Sequence, residues 1–555
     1  MKTLRTNTLI AACLVVLTLL GFYRFPGHTY LQSDTQIYVP MLERIWDPSV
    51  LQKDFMVEHP HMALTIYDEA SIALRRLTGL GFREVLTAQQ VLFRALGLLG
   101  VFLIAGSLKL GTRMSLLVTS IFALGATIGG ATVLTIEYEP IPRAFALPLL
   151  LLAIGLVARE RYVAAGVAAS VAFLYHPTTA LAFWAVYFVL ACRPAEFPVM
   201  RRRLLGLAPL LVAGVLLFLS ARLQGGGSET SGLFSRMAPW LEEVVRLRST
   251  YLWVSLWFSQ WYWHYAILWI VTLAACWRLW KETAIDLRFF WIGLPLAGVL
   301  SVPAAYLLLE TEKLGLAPQL QVARHVLFIT LVAGLLSSIA GVRAARAGRR
   351  LESFAWFAAA FALPTGDPIQ WTFLAHLGDP LIRRRLLLVV VFAALAAVVA
   401  WAEQARFRWG IPAWAALALL PFFLYPGYGK VENYPRLLNP DLEELSQWAR
   451  SATGKEAVFL FPDAGRDLYP GIFRATALRA VYVDWKGGGQ ANYVPAVGQE
   501  WWKRWQELRA LKYRPGSPGS YAQYGIDYIV LKKRDAEPQE PAVFENSSFV
   551  AYRIQ

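Results

Sequence analysis

Apolar residues fall into thirteen runs along the chain, beginning near Thr8, Gln90, Ser115, Arg143, Tyr162, Pro177, Leu204, His264, Phe289, His325, Leu351, Leu386 and Ile411. Many approach or exceed ~18 residues, the length that marks a helix able to cross hydrocarbon. The pattern predicts an α-helical polytopic membrane protein of about thirteen transmembrane helices. Two stretches depart from it. Residues 24–89 are mixed and polar, far longer than a hairpin connection needs, and ordered loops of that length are usually functional. From about Lys430 the rhythm changes to short β-rich runs, "EAVFLFP" (456–462), "RAVYVDW" (479–485) and "GIDYIVLKK" (525–533). Between them "EWWKRWQELRAL" (500–511) has helical periodicity, and a hairpin is predicted to turn at residues 546–548. The chain therefore divides into a membrane domain, 1–429, and a small soluble α/β domain, 430–555.

Composition agrees. Hydrophobic residues make up 57% and charged residues 16%, against roughly a quarter charged in soluble proteins. The net charge of +15 does not indicate nucleic acid, because the basic residues sit in short clusters between apolar runs, as the positive-inside rule predicts. Lys2 and Arg5 place the N-terminus in the cytoplasm as an uncleaved signal anchor. An odd number of spans then puts the C-terminal domain outside a bacterial inner membrane. Arg383, Arg384 and Arg385 oppose this layout, and "LPTGDPIQW" breaks the eleventh run; if 353–382 does not cross, the tail lies inside. The three cysteines, Cys13, Cys192 and Cys276, read as packing residues within or at the ends of apolar runs.

Polar chemistry gathers in the segments assigned to the outside. "SDTQIYVPMLERIWDPSVLQKDFMVEHPH" (33–61) follows the first run and carries Asp34, Glu43, Asp47, Asp54, Glu58, His59 and His61. Asp47 precedes Pro48, a setting in which an Asp caps its own turn. The second loop, "TIEYEPIPRAF" (135–145), holds Glu137, Glu139 and Arg143 between stiffening prolines. His176 and Pro177 mark the turn between two runs, where a lone histidine is more often a structural hydrogen-bonder than a ligand. Arg324 and His325 open another run, where an arginine offers a planar fork to phosphate or simply anchors at headgroup level. "YLWVSLWFSQWYWHY" (251–265) spaces Trp253, Trp257 and Trp261 four apart, predicting one helix face, either an interfacial belt or a cavity wall. The tail has no cysteine or histidine, and it shows no nucleophile motif or Gly-rich phosphate loop.

"SDTQIY", "EYEPIPR", the thirteen runs and the α/β tail together resemble the GT-C superfamily of membrane glycosyltransferases. "HPTTAL", "VYVDWK", "YGIDYIVL" and "VFENSSFVAYR" are similar to a poorly characterised bacterial family of multi-span proteins with a soluble C-terminal domain. Where GT-C enzymes carry an acidic pair, this chain has Asp34 alone between Ser33 and Thr35. The resemblance implies glycosyl transfer from a polyprenyl-phosphate sugar to a glycan, lipid or protein acceptor, with the bilayer as partner. It implies Asp34 as general base, and Arg143, Arg324, His325, His176, Trp257 and Trp261 around lipid phosphate or sugar. Glu137, Glu139, Asp54 or His59 would supply a second carboxylate or hold a divalent metal, which the sequence does not require. A non-catalytic role in envelope assembly and a transporter are the alternatives; few ionisable residues lie at mid-span, where coupling sites occur.

Overall fold

The structure, a computed structural model, describes residues 2–62, 64–223, 235–366, 378–404, 410–428, 439–511, 518–535 and 541–554. His376 and parts of the eleventh run lie outside them. A helix lies over every one of the predicted runs. The first ten helices are α1 (Lys2–Tyr23), α2 (Thr35–Trp46), α3 (Tyr67–Thr78), α4 (Phe82–Ser107), α5 (Thr112–Ala123), α6 (Pro142–Val157), α7 (Tyr162–Tyr175), α8 (Pro177–Cys192), α9 (Phe197–Leu205) and α10 (Ala208–Leu223).

Among the described residues six helical stretches are long and apolar enough to cross a membrane: Thr6–Tyr23, Phe82–Ser107, Phe197–Ser220, Ile285–Thr311, Ala317–Arg346 and Pro380–Glu403. Five apolar helices are shorter. Side chains such as Leu211, Leu300 and Leu387 stand exposed on these helices, which water would penalise and lipid tails do not. The best-covered stretch, Ala317–Arg346, is 89% buried and forms the centre of the bundle. Within the eleventh run, Arg350–Ala362 is helical and continues into one 3₁₀ turn, Leu363–Thr365. Thirteen residues of helix extend only about 20 Å, short of the ~30 Å hydrocarbon thickness.

The C-terminal region forms a five-stranded mixed sheet in the order β4-β3-β5-β7-β6. Its strands are β3 (Val458–Leu460), β4 (Ala480–Val481), β5 (Tyr528–Lys532), β6 (Phe544–Glu545) and β7 (Phe549–Arg553). β3 runs parallel to β4 and β5, while β7 is antiparallel to β5 and β6. The hairpin turns where predicted, because the Asn546 Oδ1 accepts the N–H groups of Ser548 (3.1 Å) and Phe549 (2.9 Å). Helix Pro495–Leu511 covers the expected helical segment.

This region docks on the long loop. Helix Tyr469–Ala477 packs on α2, and the 3₁₀ segment Lys486–Asn492 packs on α2 and on helix Pro239–Arg248. A Cβ at Gly487 would come within 2.8 Å of the Met56 sulfur, and one at Gly488 would strike the Trp501 ring. Glycine is what lets the backbone approach so closely.

Candidate active site

The site begins with an unusual division of labour at the start of α2. Asp34 is the residue before the helix, the position from which an Asp side chain ordinarily accepts one of its helix's own N–H groups. Here it makes no such bond. Glu139, from the second loop, takes over. Its Oε1 accepts from the N–H of Gln32 (2.5 Å) and Ser33 (2.7 Å), and its Oε2 from that of Thr35 (3.1 Å). A carboxylate at a helix N-terminus is favoured by the dipole. Burial, with nearby Asp34 adding to it, nonetheless pushes the Glu139 carboxyl up to about 7, against the hydrogen bonds that favour ionisation. Because Glu139 satisfies the backbone, the Asp34 carboxylate is directed toward the C-terminal region instead.

There it meets Lys486. The ammonium lies 2.6 Å from Asp34 Oδ1 and donates to Ser33 Oγ at 3.0 Å. Burial opposes ionisation of Asp34, but Lys486, with Arg143 and Arg324 behind it, outweighs that and holds the carboxyl at about 2. Lys486 is itself aimed by Asp484, whose Oδ2 accepts the N–H groups of Lys486 (3.0 Å) and Gly487 (3.2 Å).

Three arginines surround this pair. Arg143 opens α6 and forms a buried ion pair with Glu137 at 2.7 Å. Arg324 donates to Gln321 Oε1 (2.5 Å) and lies over the Tyr251 ring; Gln321 in turn donates to the Tyr493 hydroxyl (2.7 Å). Arg248 stacks 3.9 Å above Trp485 and reaches the Lys486 carbonyl. The Nε–H groups of Arg248 and Arg324 are buried and find no acceptor among the described residues. An anion beside Asp34 would therefore meet unused arginine donors.

A cleft of mainly apolar walls, with Leu17, Leu98, Leu147 and Pro148 among its lining residues, leads between α1, α4 and α6 to Glu137 and Arg143. Asp34 is not in its wall. Arg94, buried, ties the cleft to the second loop by donating to the Glu137 carbonyl (2.6 Å) and the Gly27 carbonyl (2.9 Å).

The other residues singled out in the sequence divide sharply. His176 lies within electrostatic reach of Arg143 and Arg324, but its Nδ1 caps α8 by accepting from the Thr179 N–H. Both ring nitrogens of His325 face backbone carbonyls, of Val322 (2.9 Å) and Thr178 (2.8 Å). His325 therefore has no spare ring nitrogen, and His176 spends its Nδ1 on the cap. The tryptophans do not share a helix face. Trp253 and Trp257 flank the 3₁₀ turn Val254–Leu256, before helix Ser259–Leu279 begins, and only Trp261 is on it. Aromatic residues hold helices weakly, and here packing decides. Trp257 and Trp261 press on Gly130 and Gly129, in the turn between β1 (Thr127–Ile128) and β2 (Val133–Leu134).

Asp54 is fully committed. Its Oδ2 binds the Arg474 Nε (2.6 Å) and the Val481 N–H (3.0 Å), and its Oδ1 the Met56 N–H (3.0 Å). Arg474 reaches on to Asp484 Oδ1 at 2.6 Å, so one buried guanidinium joins the long loop to the segment that carries Lys486. Glu137, Glu139 and Asp54 are each spent on other partners and His59 is exposed, so this quartet does not assemble as a metal site. Asp47 caps its own turn as expected, accepting from the Ser49 N–H at 2.9 Å.

Lys486, Arg248, Arg474 and Asp484 have no counterpart in the sequence reading. The available signal was "DWKGGGQ" (484–490), a lysine before three glycines. Such a run marks a backbone packed closely against something else.

Residues 440–508 match a family model described as a domain of unknown function, DUF6798. Comparison with curated protein sequences finds no match. In fold, the chain is similar to ArnT from Cupriavidus metallidurans in the apo state, with a TM-score of 0.51 and 12% identity over 100% of this chain and 98% of that one. The Archaeoglobus fulgidus oligosaccharyltransferase in its apo form aligns with a TM-score of 0.40 and 12% identity, over 94% of this chain and 69% of that one. The arabinofuranosyltransferase AftD from Mycobacteria aligns with a TM-score of 0.43 and 13% identity, over 99% of this chain and 41% of that one. The full-length likeness to ArnT shows an ArnT-like fold, the GT-C-like architecture that the sequence motifs implied, and the six apolar spans fit a multi-pass membrane protein.

Proposed function

We propose that the chain transfers a glycosyl group from a polyprenyl-phosphate-linked sugar to a hydroxyl of an envelope glycan, lipid or protein. The observation that carries this reading is the Asp34–Lys486 pair set among Arg143, Arg324 and Arg248. The prenyl chain would lie along the apolar cleft and its phosphate at the arginines, beside the end of α1. The acceptor oxygen attacks the anomeric carbon, the bond from that carbon to the phosphate oxygen breaks, and polyprenyl phosphate leaves with the electron pair. The hydroxyl proton passes to Asp34.

A carboxylate held at about 2 is a poor base, and the arrangement supplies the remedy. A phosphate among the arginines draws the Lys486 ammonium to itself. Asp34 then loses its strongest partner, its pKa rises toward the ordinary carboxylate range, and it accepts protons more readily. Donor binding thereby switches on the base, and the departing phosphate is neutralised by the same lysine.

Replacing Lys486 by Met tests this. Affinity for a polyprenyl-phosphate analogue should fall roughly tenfold or more, the scale of a lost charge-assisted contact, and turnover should fall with it. Unchanged binding and turnover would exclude Lys486 from the site and remove the reading's main support.

The C-terminal region contacts the long loop through Asp34 and Asp54, so the two share one side of the membrane. With Lys2 and Arg5 in the cytoplasm of a bacterial inner membrane, that side is extracytoplasmic. Reporter fusions at Gln555 and Gly348 should report opposite sides, with Gly348 inside. A cytoplasmic signal at Gln555 contradicts the orientation.

A further inference from the structure

Away from Asp34, within the long loop, three ligand-bearing side chains converge where α3 begins. One donor atom each from His61, Asp68 and Glu69 lies within 4.8 Å of the others. His61 Nδ1 is 2.9 Å from Asp68 Oδ2. Asp68 has no exposed surface, its Oδ1 meets no N–H or hydroxyl donor among the described residues, and its carboxyl lies against that of Glu69. Two carboxyls in contact, one of them buried, call for a shared proton or a compensating cation. His61, whose side chain is 41% exposed, leaves a route in from solvent.

The frame around these groups is fixed. Thr65 Oγ1 donates to the Tyr175 carbonyl (2.8 Å) and the Ile66 N–H to the Leu174 carbonyl (3.0 Å), pinning the loop to the end of α7. Glu69 Oε1 accepts from the Ser220 hydroxyl of α10 at 3.0 Å. The ligands therefore come from a loop and a helix held against two further helices.

We propose that His61, Asp68 and Glu69 bind one divalent transition cation of the zinc or manganese class, clipping His61 to the start of α3. An imidazole with two carboxylates suits these ions, whereas calcium and magnesium prefer all-oxygen shells. Ligand atoms around a tetrahedral zinc lie about 3.4 Å apart, from metal–ligand distances of about 2.1 Å. His61 and Asp68 need only part slightly to admit it, with water completing the shell.

The test uses the full chain in detergent, stripped with chelator, dialysed against zinc or manganese chloride, and assayed for bound metal and thermal midpoint. The unmodified protein should retain about one equivalent and gain thermal stability from it. His61→Ala and Glu69→Gln should each lower affinity at least tenfold, within the 10–100-fold range typical of disturbed metal sites, and lose the stabilisation. His61 pairs with buried Asp68, so the isosteric Glu69→Gln, which leaves that pair in place, is the second variant that keeps the test falsifiable. Retention of manganese rather than zinc identifies the cation and supports the site. No retained metal, or equal retention by His61→Ala, overturns the proposal. None of these readouts depends on glycosyl transfer.

Discussion

Asp34→Asn should lower turnover by roughly 10² or more, the low end of what a general base contributes, while binding of a polyprenyl-phosphate analogue persists. Asn keeps the shape and removes the charge, so a loss in kcat with little change in KM is the signature of a group acting in the transition state. The pH dependence follows from the structure. In the protein without donor, Asp34 is held at about 2, so it is ionised throughout the neutral range. Its folded pKa lies below the unfolded value near 3.9. The stability it lends is therefore fully present above about pH 4 and is lost as pH falls through about 2. An acidic limb of kcat/KM between pH 5 and 8 accordingly has another origin. Such a limb persisting in any residual activity of Asp34→Asn agrees with this assignment. Unchanged turnover of Asp34→Asn removes Asp34 from the chemistry.

Arg474→Met should detach the C-terminal region from the long loop. Arg474 is buried between Asp54 and Asp484, 2.6 Å from each. Burial opposes its charge, but the two carboxylates more than offset this and raise its pKa. Removing it strands two buried carboxylates, and breaking a buried pair in this way costs about 3–5 kcal/mol. Hydrogen exchange should rise sharply at residues 54–57 and 480–490. Turnover should collapse although Arg474 is proposed to touch no substrate, because Lys486 would leave Asp34. Adding Asp54→Asn and Asp484→Asn should recover part of the protection, since neutral partners tolerate the gap better. Unaltered exchange at both segments contradicts the role of this network in docking.

The membrane class, the run-by-run helices and the strands of the tail were legible because each rests on a local period of hydrophobicity. Asp34 stood out as a candidate for a similar reason, as an acid close beyond the first span. Its partners were not. Lys486 lies more than four hundred residues away in sequence, and nothing near either residue marks the pairing. Arg474 and Asp54 are likewise joined only by the fold. Glu139 was noticed, but as a ligand; that it would cap a helix 104 residues upstream is a fact of tertiary geometry. The tryptophan stretch shows the opposite failure. Its spacing of four was real, yet glycines on a distant hairpin turn determine where Trp257 and Trp261 pack, and the helix starts too late to contain the first two of the series.

The most direct test is a density map of the full chain with a polyprenyl-phosphate analogue bound. The account predicts the phosphate among Arg143, Arg324 and Arg248, with the Lys486 ammonium moved from Asp34 onto a phosphate oxygen and the Asp34 carboxylate facing the vacated space. A phosphate bound elsewhere while the Asp34–Lys486 pair stays closed would contradict it.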